Sequence, residues 1–265
     1  SRPKNGQSIT KNRTRKIILT KNKIYFASDF HLGAPNLKDS HARERLIIKW
    51  LDEIKADAKS IYLIGDIFDF WFEYTKVVPK GFVRLLGKLA ELTDSGINIQ
   101  LFTGNHDMWM HDYLEKEVGL KVHHDNIIIK EGDKEIFIGH GDGLGDGDYF
   151  YKFLRQIFTS KICRWVFARL HPNFALALAH AWSNSSRKSG DDTKYIADDK
   201  EILLCYCKKQ QQIKPVDYYI FGHRHLPLEL AVDSKATYIN TGDWLSHNTY
   251  AVLFDGNLTL ATYAK

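Results

Sequence analysis

The chain has 265 residues, 44% hydrophobic and 26% charged, enough to bury a core without disulfide or metal staples, which excludes a disordered or low-complexity protein. Net charge is +5, yet residues 149–190 hold seven Lys or Arg and no Asp or Glu, so the remainder sums to −2 (5 − 7). Cys163, Cys205 and Cys207 form no C-x-x-C pair and no disulfide framework, which points to a reducing compartment, and no apolar run reaches the length of a membrane span.

Residues 1–22 read as a basic N-terminal segment and 23–265 as one domain. Lys16–Thr20 and Lys23–Ser28 are β-prone runs around Lys21-Asn22, a hairpin pattern. Ser40–Lys55 carries helical periodicity through Leu46, Ile47, Trp50, Leu51 and Ile54. Ser60–Ile64 is an apolar strand, and Gly81–Leu92 is a helix stopped by Ser95-Gly96. Ile97–Thr103 is the next strand, with a short helix after Asp107. Ile127–Lys130 and Glu135–Ile138 flank Gly132-Asp133 as a second hairpin. A helical insert is expected over about 149–190, then a helix over about Ala197–Gln212. The end reads as all-β: Leu228–Val232, Thr237–Thr241, Tyr250–Phe254 and Leu258–Tyr263.

Five motifs fall at the ends of these strands: Asp29-x-His31, Gly65-Asp66, Gly104-Asn105-His106-Asp107, Gly139-His140-Gly141-Asp142 and Gly222-His223-x-His225. From Asp29 to Asp66, Asp66 to Asn105 and Asn105 to His140 the steps are 37, 39 and 35 residues. The first two fit strand–helix–strand crossovers, whose carboxyl edge is where α/β sites form. The last step, His140 to His223, is 83 residues and requires an insertion. Asp29 and His31, two apart, are expected on one side because strand side chains alternate. Asp69 either supports the site or caps the next segment, and Asp107 reads as a capping residue. His106 faces substrate rather than metal. A lone D-x-H or a lone buried His is usually structural; five such strand ends together point to a dinuclear metal site. Oxygen and imidazole donors without thiolate disfavour a structural zinc site and favour Mn or Fe, with Zn or Co as alternatives. Two such ions roughly 3.5–4 Å apart polarise a phosphoryl oxygen and generate a hydroxide nucleophile at neutral pH.

These motifs resemble the pattern D-x-H, G-D-x-x-D, G-N-H-[DE], G-H and G-H-x-H of the calcineurin-like metallophosphoesterase superfamily. The resemblance implies an α/β, two-sheet sandwich flanked by helices. It also implies two divalent ions, one on Asp29, His31, Asp66 and His225, the other on Asp66, Asn105, His140 and His223, with Asp66 bridging. His106 would be the catalytic group that stabilises transition-state charge or protonates the leaving group. A narrower resemblance is to the UDP-2,3-diacylglucosamine hydrolases of lipid A biosynthesis. It rests on Ser28–Gly33, Gly65–Trp71, His140-Gly141-Asp142 with Asp146-x-Asp148, and Thr241-Gly242-Asp243-Trp244. That family cleaves the pyrophosphate of a UDP-linked diacylated sugar; its best-known branch has Arg where this chain has His106. By resemblance Asn105, His106, Asp148 and His223 contact substrate. Ser186, Arg187 and Lys188 are candidates in the insert.

The insert has its own signal. Tyr149, Phe150, Phe153, Leu154, Ile157 and Phe158 recur at helical spacing, as do Ile162, Trp165, Val166, Arg169 and Leu170. Such a segment either packs on the core or forms a lid, with an acyl-chain groove on one face and cations toward phosphate or an anionic membrane. The latter places the protein in the cytoplasm, peripheral on the inner membrane of a Gram-negative bacterium. The alternatives are a soluble phosphoesterase acting on nucleotides or other phosphodiesters, and a noncatalytic scaffold. A nucleic-acid partner is not expected.

Overall fold

Strand β1, Lys23–Ala27, alternates its side chains between two buried layers. Tyr25 and Ala27 face helices, while Ile24 and Phe26 face a second sheet. The computed structural model describes residues 21–147, 149–178, 197 and 200–264. Helix α1, Leu37–Ile54, begins at Asn36, whose side chain accepts the Asp39 N–H. It leads to β2, Ala58–Ile64. Helix α2, Val83–Asp94, follows, and its first turn is capped from α1: Glu44 accepts the Arg84 and Leu85 N–H groups. β3, Asn98–Phe102, then runs parallel to β2, as β2 does to β1. The expected crossovers are therefore present.

The short helix expected after Asp107 is one π-helical turn at Leu114–Val118. A strand that local pattern did not reveal, β4 (Lys121–His123), follows it. Three residues are too few for a legible period. β5, Ile127–Glu131, and β6, Lys134–Ile138, form the expected antiparallel hairpin. β7, Tyr218–Phe221, runs parallel to β6, and β9, Thr237–Thr241, parallel to β7. β8, Pro227–Ala231, pairs antiparallel with β9. β10, Thr249–Phe254, and β11, Asn257–Thr262, cross over to the first sheet, where β10 pairs with β1. The all-β end is thus divided between two sheets, ordered β11-β10-β1-β2-β3-β4 and β5-β6-β7-β9-β8.

Ile24, Phe26, Ile64, Ile138, Ile220 and Ile239 fill the space between the sheets. Ile47, Trp50, Leu51, Leu85 and Leu89 cover the outer face of the first sheet. The helix Ile202–Ile213, beginning a few residues later than expected, covers the second through Leu203, Leu204 and Cys207. This is the α/β two-sheet sandwich expected from the motifs. Its consequence for function is direct: both sheets have a parallel centre, so the carboxyl ends of β1, β2 and β3 and those of β6, β7 and β9 converge on one edge.

The insert between β6 and β7 contains α3, Tyr149–Thr159, and α4, Lys161–Phe167; residues 172–178 are also helical. Its inner side uses few residues. Phe167 packs on Phe70, Phe72 and Trp109, and the Trp109 indole N–H donates to the Phe158 carbonyl. Buried Asp142 accepts from Tyr151 and Arg155 of α3, both at 2.8 Å. The other face is open: Phe150, Phe153 and Trp165 are 72%, 58% and 60% exposed. Burial on the core therefore does not explain the apolar period, which continues on the solvent side. Among the described residues no helix is long and apolar enough to cross a membrane.

Candidate metal centre

Three glycines explain how donors from separate strands come so close. A Cβ on Gly222 would lie 2.5 Å from Asp29 Oδ2, one on Gly65 2.5 Å from His140 Nδ1, and one on Gly104 2.8 Å from Asp66 Cγ. Each glycine preceding a donor thus makes room for the donor of a neighbouring strand. Gly139 makes room for Asn126, which is not one of the donors.

The donors themselves sit in turns beyond the strands. Asp29, His31, Asp66, His223 and His225 all have left-handed backbones, with φ of 54°, 42°, 53°, 69° and 53°. That conformation costs an L-residue roughly 1–2 kcal/mol, and such residues cluster at functional sites. Asp29 and His31 share a side for this reason, not by strand alternation, because β1 ends at Ala27. The loop is held by Arg43 of α1, a buried guanidinium that donates to the carbonyls of Phe30, His31 and Ala34 at 2.6 Å each.

Two groups of donor atoms result. In the first, His31 Nε2 lies 3.2 Å from His225 Nε2, 3.6 Å from Asp29 Oδ1 and 3.6 Å from Asp66 Oδ2. His225 Nε2 is 3.4 Å from Asp29 Oδ1. In the second, His140 Nε2 lies 3.3 Å from both Asp66 Oδ2 and Asn105 Oδ1, and Asn105 Oδ1 is 3.1 Å from His223 Nδ1. Asp66 Oδ2 belongs to both, while its Oδ1 accepts the His106 N–H at 2.9 Å.

The remaining bonds aim these atoms. Asp29 Oδ2 accepts from the Ser28 hydroxyl and the His223 N–H, leaving the buried Oδ1 with no hydrogen-bond partner. His140 Nδ1 is 2.8 Å from the Ile64 carbonyl, which can only accept, so the proton sits there and Nε2 is free to ligate. An orphaned buried carboxylate oxygen facing imidazole nitrogens fits a cation. The oxygen-and-imidazole set fits two hard or borderline divalent ions.

Electrostatics agree. Burial opposes protonation of His140, but Asp66 holds it well above the usual range. Burial likewise opposes His31, yet Asp29, Asp69 and Asp66 push it up to about 10. Burial acts against ionisation of Asp29 and Asp66, and the surrounding histidines nevertheless hold both below the usual carboxylate range. Such mutual dependence marks buried groups whose charges a cation could replace.

Asp69 supports the site. It is buried, with Oδ1 3.7 Å from His31 Nδ1 and 3.8 Å from His106 Nδ1. Its carbonyl accepts a hydrogen bond from the His106 Nδ1–H at 3.1 Å, which fixes the ring's orientation. Burial lowers the His106 imidazole below the ordinary range. Asp107, expected to cap a helix, instead ties two strand ends together: it accepts N–H groups of Gly104, Asp66, Ile67 and Phe68, and the next helical turn starts only at Leu114. Burial and then Asp66 push its carboxyl up to about 7, against the Gly104 and Phe68 N–H groups.

A cavity of about 380 Å³ opens over the donors. Asn105, His106 and His223, all expected to touch substrate, line it with Tyr151 and Lys152 of the insert. Asp148, Ser186, Arg187 and Lys188 lie outside the described residues. Arg43, Ser28 and Asp243 were not legible as site residues from sequence. None stands in a motif spacing of its own; Ser28 and Asp243 carried a signal only as part of a resemblance, through Ser28–Gly33 and Thr241-Gly242-Asp243-Trp244, and Arg43 carried none.

Residues 22–227 match the family model described as calcineurin-like phosphoesterase. The chain is 40% identical over 250 residues to a UDP-2,3-diacylglucosamine hydrolase of Porphyromonas gingivalis, covering 89% of this chain and 95% of that one. It is 26% identical over 247 residues to the UDP-2,3-diacylglucosamine hydrolase of Aeromonas hydrophila, covering 90% of this chain and 98% of the other. The chain belongs to the calcineurin-like phosphoesterase family and is a hydrolase.

Proposed function

We propose that this phosphoesterase hydrolyses the pyrophosphate bond of UDP-2,3-diacylglucosamine, giving UMP and 2,3-diacylglucosamine 1-phosphate, a step of lipid A biosynthesis. The observation that carries the reading is the meeting of two donor groups at Asp66 Oδ2, beside an insert whose outer face is apolar. The likeness to relatives of that name over nearly the whole chain supplies the substrate.

In this reading Asp29, His31, Asp66 and His225 hold one divalent ion, and Asp66, Asn105, His140 and His223 the other, with Mn the first metal to test. When bound, the ions polarise the phosphoryl group and lower the pKa of the attacking water. The protein's own groups do the rest. Asn105 and His223 fix the substrate phosphate at the cavity floor. His106, oriented by Asp69, offers Nε2 to the phosphoryl or leaving oxygen and is the group that holds or moves a proton there.

Residues 23–265 form the phosphoesterase domain, 149–190 its lid and 1–22 a basic extension. Asp148, Ser186, Arg187 and Lys188 complete the substrate contacts. The open face of α3 and α4 takes the acyl chains and rests on an anionic membrane. Its exposed Trp165 carries Arg169 at 4.8 Å from the ring centroid, an aromatic–cation pair suited to a lipid headgroup region. In this reading the protein works on the cytoplasmic face of a Gram-negative inner membrane.

The test is release of UMP by Mn-loaded protein from the diacylated UDP-sugar in mixed micelles, beside a soluble dinucleotide and a chromogenic phosphodiester. Preference for the lipid supports the proposal. Turnover of the soluble substrates alone transfers it to the soluble phosphoesterase reading.

A further inference from the structure

Behind the first donor group stands a carboxylate that contributes no atom to it. Asp243 follows β9 and is buried. Its Oδ2 lies 3.4 Å from His225 Nδ1, on the side of the ring away from Nε2. Its Oδ1 accepts the N–H groups of Ser246 and His247 at 2.9 and 3.0 Å and faces His247 Nδ1 at 3.1 Å. The turn that carries it is docked on the opposite sheet. The Trp244 N–H donates to the Asp29 carbonyl at 3.1 Å, and the Trp244 ring packs edge-on against Phe30. Asp243 is therefore held in place from both sides.

We infer that Asp243 is a positioning residue for His225, and that through it the two metal sites are held unequally. A carboxylate on Nδ1 keeps the ring proton there, orients the imidazole and makes Nε2 a stronger donor. The first group has such support behind His225, where Asp243 stands at 3.4 Å; Asp69 Oδ1 lies 3.7 Å from His31 Nδ1, a buried nitrogen with no hydrogen bond. In the second, His140 Nδ1 has the neutral Ile64 carbonyl instead. The first group also counts two carboxylates, Asp29 and Asp66, where the second counts Asp66 and the neutral Asn105 amide. Removing the Asp243 charge should thus weaken one site and spare the other. This inference rests on the two-ion reading proposed above.

Asp243→Asn is the informative variant. Its side-chain oxygen can still accept the Ser246 and His247 N–H groups, so the turn keeps its cap. Its amide N–H₂ then meets His225 Nδ1 and opposes the proton there. The experiment measures Mn²⁺ binding to metal-free protein by titration calorimetry, with bound metal counted by elemental analysis after dialysis. Nitrogen-15 NMR of the histidine rings reports the His225 tautomer. The wild type should bind two ions, the first more tightly. Asp243→Asn should weaken the tight site on the order of 10–100-fold, the usual size for such support, leave the weaker site unchanged, and change the His225 tautomer. Asp243→Glu, which keeps the charge one methylene away, should recover part of the loss. Equal affinity in Asp243→Asn and wild type, or equal weakening of both sites with Asp243→Glu no better, would overturn the inference. A wild type that binds fewer than two ions defeats the two-ion reading itself, whatever the variants do. Thermal melting in excess chelator separates a folding defect from both, since the asparagine variant should match the wild type there.

Discussion

Replacing Gly222 by alanine tests whether the glycines before the donors serve the site or merely the sheet. Its φ is not in the left-handed region, so alanine can adopt the backbone, and loss of unfolded-state freedom would by itself stabilise by roughly 0.4–1 kcal/mol. The added Cβ, however, would crowd the Ser28 hydroxyl and stand 2.5 Å from Asp29 Oδ2 and 2.7 Å from Ser28 Cβ, where ordinary contact begins at 3.4 Å. The carboxylate must therefore move by 0.9 Å (3.4 − 2.5), and the Ser28 side chain that donates to it must shift as well. Crowding of this kind costs about 1–3 kcal/mol, so the net loss of stability should be about 1–2 kcal/mol, a fall in Tm of a few degrees. Metal binding is far less tolerant, since donor distances hold to about ±0.2 Å. Gly222→Ala should then fold yet lose the first ion, with affinity reduced at least on the order of 10²-fold, while the second site remains. Gly104→Ala, which crowds the shared Asp66, should weaken both. Calorimetric titration with Mn²⁺, with Tm read in excess chelator, checks the pair. Two full-affinity ions in Gly222→Ala would refute the reasoning, as would a loss of metal that merely tracks unfolding.

Three further outcomes follow from the same geometry. His106→Ala should keep both ions and lose on the order of 10²–10³ in kcat, because the ring contributes no atom to either donor group; full activity in a steady-state assay, or loss of metal, would mean its role is misassigned. Phe153→Ser or Trp165→Ser should raise KM for the diacylated UDP-sugar with little change on a small chromogenic phosphodiester, since both side chains face solvent and neither supports the core. A parallel fall on both substrates would make the insert structural. Metal loading should release protons, because carboxylates around them hold His31 and His140 above the ordinary imidazole range against burial, and both must be neutral to ligate. Affinity should therefore rise with pH, and titrations in buffers of different ionisation enthalpy that show no proton release would contradict the charge state.

The five motifs, their order and their position at strand ends were legible in the sequence by itself. Short apolar runs report strands, and a glycine followed by a carboxylate, amide or imidazole at each run's end reports a site edge. Spacings of 37 and 39 residues report parallel crossovers in the same local way. The outward period of the insert was legible too, but not its direction. A helical repeat of Phe150, Phe153 and Ile157 looks alike whether it faces a core or water, and only the docking of Tyr151, Arg155 and Phe158 on the other side decides it. Tertiary structure alone decided the division of β8–β11 between two sheets, because strand period carries no information on partners. It alone joined His31 to His225 and Asn105 to His223, contacts that span 194 and 118 residues. It also revealed Arg43 and Asp243 as supports, and decided for Asp69 between support and capping. These residues act through distances to donors on other strands, and a chain read in order has no term for distance across space.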